Sequence, residues 1–132
     1  MQVDLLMDKL NVSRKTLNWR FPNELDARYI DGTNWELINS FSYIDEEFGL
    51  IIVPSGFTTD FASIPKIFWS IFGAPSNYAP SAIIHDYICR NKIFDRKKCD
   101  QVFYRAMIDS DVNYTMAILF YSAVRLYSMG IK

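Results

Sequence analysis

The feature that most constrains this chain is the long connection at its middle. Over residues 54–79, Gly, Pro, Ser and Thr crowd the strings V-P-S-G-F-T-T-D-F-A-S-I-P and F-G-A-P-S-N-Y-A-P. It separates two halves whose apolar residues recur differently, and no internal repeat or low-complexity tract is visible. Before it, Asp31-Gly32 is a hairpin signal, since both positions of such a turn tolerate positive φ. Trp35, Leu37, Phe41 and Tyr43 then alternate with Glu36, Ile38, Ser40 and Ser42, as one half-buried strand would. Residues 45–49 make the next turn, and residues 50–53 pair back.

After the connection the pattern is helical. Pro80 suits the first turn of a helix running to about Arg90, because its missing N–H would have no partner there. Residues 91–94 break that helix. Asp95 can cap a second one through its carboxylate, with Cys99, Val102, Phe103 and Ala106 along one face. Residues 109–111 punctuate again, and a third helix over residues 112–128 is apolar nearly all round. That predicts a buried central helix, with an oligomer contact as the alternative. The expected fold is α+β: a small N-terminal antiparallel β-sheet, a long Gly/Pro-containing loop, then three C-terminal helices including a helical hairpin, in one domain over residues 1–132. A connection this long is usually functional or covers a site. Phe57, Phe61 and Ile64 would otherwise be exposed, so residues 56–65 are expected to pack over the hairpin.

Composition narrows the function classes. A chain of 132 residues can bury about 68% of its unfolded surface. Half its residues are hydrophobic and 22% charged, which excludes the composition of a disordered chain. A formal charge of -1 supplies no global attraction for phosphate backbones or anionic membranes, so nucleic acid is not an expected partner. Arg96, Lys97 and Lys98 read as a solvated face. The 16% aromatic content suggests an aromatic-rich pocket or an interface. Residues 1–10 carry Asp4 and Asp8 and lack a basic stretch followed by a long apolar run, so they do not read as a secretory signal. The apolar run over residues 112–124 is shorter than the roughly 18 to 20 residues a spanning helix needs.

His85 is the only histidine, and Asp86 follows it. One histidine removes phosphohydrolases that need several histidine ligands, and no H-E-x-x-H or G-x-S-x-G motif is present. If the first two helices run antiparallel about a loop centred near Ile93, residues whose numbers sum to about 186 lie level. Asp86 and Asp100 satisfy this, with His85 within one residue. A histidine and two carboxylates at one level would make an acid–base or cation site; the plain alternative is a salt-bridged hairpin using Arg90, Arg96 or Arg105. The same arithmetic sets Cys89 beside Cys99, neither in a C-x-x-C pair, and both are expected reduced; a zinc site of His85, Cys89, Cys99 and a carboxylate matches no known spacing. Asp60, in T-T-D-F-A-S-I-P, reads as a helix cap or as a carboxylate folded back onto His85.

The string V53-P54-x-G56-F57-x-T59-D60-x-A62-S63-x-P65, followed by A82-x-x-H85-D86, R96-x-x-x-D100 and A106-M107, resembles the bacteriophage and prophage family known as domain of unknown function 1353. The resemblance covers roughly residues 50–128 and implies a phage origin, a small α+β domain, and action in the host cytoplasm or the virion. A fainter likeness is to viral-type phospholipase A2, whose His-Asp-x-x-Tyr helix faces an Asp on a second helix. That likeness would make His85 the base, Asp86 a calcium ligand and Asp100 the residue orienting His85. Cys89 stands where that motif has Tyr, and the segment F72-G73-A74-P75-S76-N77 lacks the glycine-rich calcium loop.

Two functional expectations follow. In one, a phage-encoded hydrolase of an ester or amide uses His85 and Asp100 as its catalytic residues, with Asp86 and Asp60 holding a divalent cation, calcium or other, and with membrane lipid as one candidate substrate. In the other, the chain is a non-catalytic phage accessory or virion structural component, whose polar residues lock the loop onto the hairpin and whose partner is a phage or host protein. A buried, fully bonded His85 would favour the second.

Overall fold

The computed structural model describes residues 18–32, 34–60 and 78–130. Among these residues five strands precede three helices: β1 (Ala27–Asp31), β2 (Asn34–Leu37), β3 (Phe41–Asp45), β4 (Gly49–Val53), β5 (Thr58–Thr59), α1 (Ala79–Arg90), α2 (Arg96–Asp109) and α3 (Tyr114–Ser128). This is the expected α+β arrangement, with helices segregated after an antiparallel β half.

The strands form two antiparallel sheets, one in the order β1-β2-β5 and one pairing β3 with β4. The single strand expected over residues 35–43 is therefore divided. Leu37 is buried at the end of β2, and the chain then turns a corner through Ile38, Asn39 and Ser40, all exposed. Contacts from elsewhere hold that corner: the Ile38 amide donates to the Asp26 carbonyl, the Asn39 side chain donates to the Asp26 carboxylate, and Ser55 donates to the Ile38 carbonyl. Asn39 falls in the apolar phase of the alternation and Ile38 in the polar one, so the pattern breaks for one period at the bend and resumes at Phe41. The hairpin expected at Asp31-Gly32 is present, but Asp31 ends β1 opposite Asn34 and Gly32 alone of the two lies in the turn, at φ 52°, a value glycine adopts without steric cost. Between β3 and β4, Asp45 accepts the amides of Glu47 and Phe48 and so closes the turn expected there.

The helices begin as their caps dictate. Proline stands in the first turn of α1, Asp95 accepts the Lys98 amide at the start of α2, and Asn113 accepts the Thr115 amide at the start of α3. The core gathers Phe21, Phe41, Tyr43, Val53, Ile83, Ile84, Ile88, Phe103, Met107 and Phe120 between helices and strands. α1 packs on β4 and α2 on β3, while α2 also packs against both α1 and α3.

The central helix is thus α2 and not the third helix, which corrects the expectation for residues 112–128. α3 buries only Ala117, Phe120 and Val124, and it leaves Ile118, Leu119 and Leu126 about 40% exposed. An apolar surface all round a helix does not say which stripe meets the core; α3 covers the outside of α2 and uses one stripe only. Among the described residues no helix is long and apolar enough to cross a membrane.

Candidate functional site

The antiparallel hairpin of α1 and α2 brings His85 and Asp100 together at the level the residue arithmetic predicts. His85 Nε2 stands 2.7 Å from Asp100 Oδ1, and the two side chains are 1% and 0% exposed. The imidazole lies against Phe103, centroid to centroid 4.6 Å. Asp100 is then shared by two guanidinium groups. Arg96, one turn earlier on α2, donates from Nε to Oδ1 at 3.0 Å, and Arg125 of α3 donates from Nη1 to Oδ2 at 2.8 Å. One buried carboxylate therefore joins α1, α2 and α3.

Burial opposes the charge on Asp100, yet the hydrogen bonds and charges of His85, Arg96 and Arg125 hold its carboxyl below the ordinary value. It is ionised at neutral pH and can only accept hydrogen bonds, so the hydrogen between it and the imidazole sits on His85 Nε2.

Asp86 is next in sequence but projects from a different side of α1. Its Oδ2 accepts from Thr59 Oγ1 and, at 2.7 Å, from Arg90 Nη2. The Arg90 guanidinium lies 4.7 Å over the Phe57 ring, and Phe57 meets Tyr87 edge-on at 5.4 Å. Residues 57–59 therefore seat on α1, as expected for the start of the loop. Asp60, the next residue, is exposed. Phe61, Ile64 and the remainder of the expected loop packing lie outside the described residues. The structure thus divides the four candidate residues: His85 and Asp100 share one buried cluster, Asp86 belongs to a surface cluster that meets the loop through Phe57 and Thr59, and Asp60 is exposed. Among the described residues no group of three or more His, Cys, Asp or Glu side chains is placed to hold a metal ion. The Asp86 oxygen facing the loop is already neutralised by Arg90.

A second polar cluster escapes sequence reasoning. Asp45, 2% exposed, receives a two-pronged contact from Arg105 of α2, Nε to Oδ1 at 2.9 Å and Nη2 to Oδ2 at 3.0 Å. Burial works against its charge, but Arg105 and the Phe48 and Glu47 amides hold its carboxyl below the ordinary value. Nearby, the buried Tyr43 hydroxyl donates to Asp109 at 2.6 Å, with Arg20 3.6 Å from the same carboxylate oxygen. These partners are 60 and 66 residues apart, and no local pattern announces them. Arg125 was equally invisible as a partner of Asp100; its one available signal is that it is the only charged residue in α3.

Comparison with known proteins places the chain among uncharacterised relatives. The profile described as "Protein of unknown function (DUF1353)" matches residues 35–124. An uncharacterized protein of Sinorhizobium fredii, y4jT, is 37% identical over 95 residues, which are 70% of this chain and 28% of that protein. A second from the same organism, y4iH, is 35% identical over 74 residues, 54% of this chain and 30% of its own length. The matched region thus spans less than a third of either curated relative. No solved structure matches the chain.

Proposed function

We propose, from the premise that the chain belongs to the DUF1353 family of proteins of unknown function, that it acts without catalysis, as an accessory or virion structural component that docks a phage or host protein. The observation that carries this reading is the burial of the His85–Asp100 pair, 1% and 0% exposed, with both Asp100 oxygens occupied from three helices. A general base must reach water or substrate, whereas a group this enclosed serves to hold elements together. The outer face of α3 supports a docking role, since Tyr114, Ile118, Leu119 and Leu126 are exposed there and the only charge of the helix, Arg125, is turned to Asp100. The phage setting rests on the family resemblance of the strings between residues 53 and 107.

A second reading has one observation in its favour. An ionised Asp100 hydrogen-bonded to His85 Nε2 is the arrangement by which an acid orients a general base. In that reading His85 would take a proton from water attacking an ester or amide, and Asp86 with Asp60 would hold a divalent cation. Melting temperature and calcium or manganese titration by calorimetry, on the parent and on His85→Ala, Asp86→Asn and Asp100→Asn, separate the two without a substrate. Destabilisation of the His85 and Asp100 variants with no cation binding by the parent is the expected result. Unchanged stability, with parental cation binding lost in Asp86→Asn, would overturn the first reading in favour of the second.

A further inference from the structure

The two cysteines take no part in the helix lock. Cys89 lies in the last turn of α1 and Cys99 in the first turn of α2, at the two ends of the short connection between the helices. Cys99 is fully buried, with Sγ 3.4 Å from the Phe94 carbonyl oxygen. Its thiol also interacts electrostatically with that of Cys89. Cys89 is only half buried. It opens onto a cleft of about 530 Å³ whose walls include Lys92, Phe94, Asp95, Arg96 and Ser128. A thiol used only for packing has no need of a solvent-reachable cleft or of cations. Here the inner thiol is sealed while the outer one meets solvent beside Lys92 and Arg96, the asymmetry expected of an attacking cysteine and its resolving partner.

We propose that Cys89 is a site of oxidation by hydroperoxides and that Cys99 resolves it into an intramolecular disulfide pinning the end of α1 to the start of α2. The Cys89 thiolate attacks one peroxide oxygen and the O–O bond breaks. Cys89 becomes a sulfenic acid, two electrons pass from sulfur to the peroxide, and the departing hydroxide or alkoxide takes up the proton that the Cys89 thiol released to solvent on ionising, leaving as water or an alcohol. Cys99, as thiolate, then attacks the Cys89 sulfur, the S–O bond breaks, and the departing hydroxide combines with the proton given up by Cys99 to leave as water.

The electrostatics order these steps. The Cys99 hydrogen bond brings the Cys89 thiol down to about 6, against its burial, with His85 and Arg96 assisting and Asp100 opposing. Cys99 is pushed up, first by its bond to Cys89 and then by burial and the Cys89 charge. Once Cys89 is a neutral sulfenic acid, the negative charge and the hydrogen bond that kept Cys99 protonated are gone, so the first oxidation releases the second nucleophile.

The test uses the full reduced chain and hydrogen peroxide, read by intact mass and non-reducing peptide mapping. The expected product has lost two hydrogens, carries a Cys89–Cys99 cross-linked peptide, forms no disulfide-linked dimer and reverts with dithiothreitol. In Cys99→Ala the reaction stops at a sulfenic acid on Cys89 that dimedone captures. In Cys89→Ala, Cys99 stays reduced over the time the parent is consumed. A thiol near 6 has about thirty times the thiolate of an ordinary cysteine at pH 7, but its lower intrinsic nucleophilicity removes roughly a tenfold factor. Iodoacetamide labelling of Cys89 should therefore be only a few-fold faster than that of glutathione. The more decisive readout is a labelling midpoint near pH 6 that moves toward the ordinary thiol value in Cys99→Ala. Retention of both thiols by the parent while glutathione in the same tube is oxidised would overturn the proposal, and so would disulfides formed only between chains. The parental mass measurement stands even if a variant misfolds.

Discussion

Asp100→Asn tests the helix lock most directly, because it removes one charge and keeps the shape. Oδ1 of Asp100 accepts from His85 and Arg96, and Oδ2 accepts from Arg125. An amide offers one carbonyl oxygen and one NH2, so in either orientation its hydrogens confront a donor that the carboxylate had satisfied. Removing one partner of a buried ion pair costs about 3 to 5 kcal/mol. Arg96 and Arg125 keep 38% and 21% of their side-chain surface and can recover some hydration, so the lower end, about 3 kcal/mol, is expected. For a domain of this size that corresponds to a fall of roughly 10 °C in melting temperature. The pH dependence adds a second constraint. The folded carboxyl of Asp100 lies below its unfolded value, so its contribution is fully present above the unfolded value of about 3.9 and is lost as pH falls through the folded one. Thermal melts followed by circular dichroism should show the full difference between parent and variant at pH 7, and a closing difference below about pH 4. A loss under about 2 °C at pH 7, or a difference that persists into strong acid, would refute the claim that an ionised Asp100 holds the helices together.

Three further outcomes are expected. Tyr43→Phe removes a buried hydroxyl bonded to Asp109 and should cost about 1 to 2 kcal/mol in urea unfolding at pH 7. Because burial and Asp109 push the Tyr43 hydroxyl up, its contribution is intact below the unfolded tyrosine value of about 10 and lost above it, so the parent should weaken more steeply than the variant between about pH 9 and pH 11. Ile84→Ala should destabilise by about 2 to 5 kcal/mol, whereas Leu119→Ala, at a position 40% exposed, should cost well under half as much; the reverse order in thermal melts would contradict the placement of α3 outside α2. Leu119→Glu combined with Leu126→Glu should leave the melt nearly unchanged while abolishing any association of the parent seen by sedimentation velocity, and a collapse of the fold would show that this face is core.

What the sequence displayed and what it hid follow from how far apart the interacting residues are. The hairpin register was legible because two antiparallel helices joined by a short turn have their levels set by counting; His85 and Asp100 met where the count put them. The Asp95 cap and the β3–β4 pairing were legible for the same reason, each being decided within a few residues. The corner after Leu37 was not, because Asp26 and Ser55 hold it from elsewhere in the chain and a single polar Asn39 in the apolar phase is a weak signal beside the alternation that flanks it. Nor was the side of α1 from which Asp86 projects, which Arg90 and Thr59 reveal only once the loop has folded back. The role of Asp45 was hidden too: a carboxylate that closes a turn looks complete, although Arg105 also reaches it from 60 residues away.

The third helix shows how these polar contacts shape the surface that remains. Apolar burial is non-directional, and α3 buries only Ala117, Phe120 and Val124, with Phe120 meeting Tyr78 edge-on at 4.6 Å. Such a short stripe resists sliding but only weakly resists rotation about the helix axis, since Ile118, Leu119 or Leu126 could fill a core nearly as well. The Arg125–Asp100 contact at 2.8 Å is directional, and it is the only ionic tie α3 has among the described residues. Turning α3 by one residue would withdraw Arg125 and leave a buried carboxylate short of a cation. The lock therefore selects which apolar side chains face outward. The exposed Ile118, Leu119 and Leu126 follow from satisfying Asp100, so any partner that docks on that face reads a surface set by a charge buried beneath it.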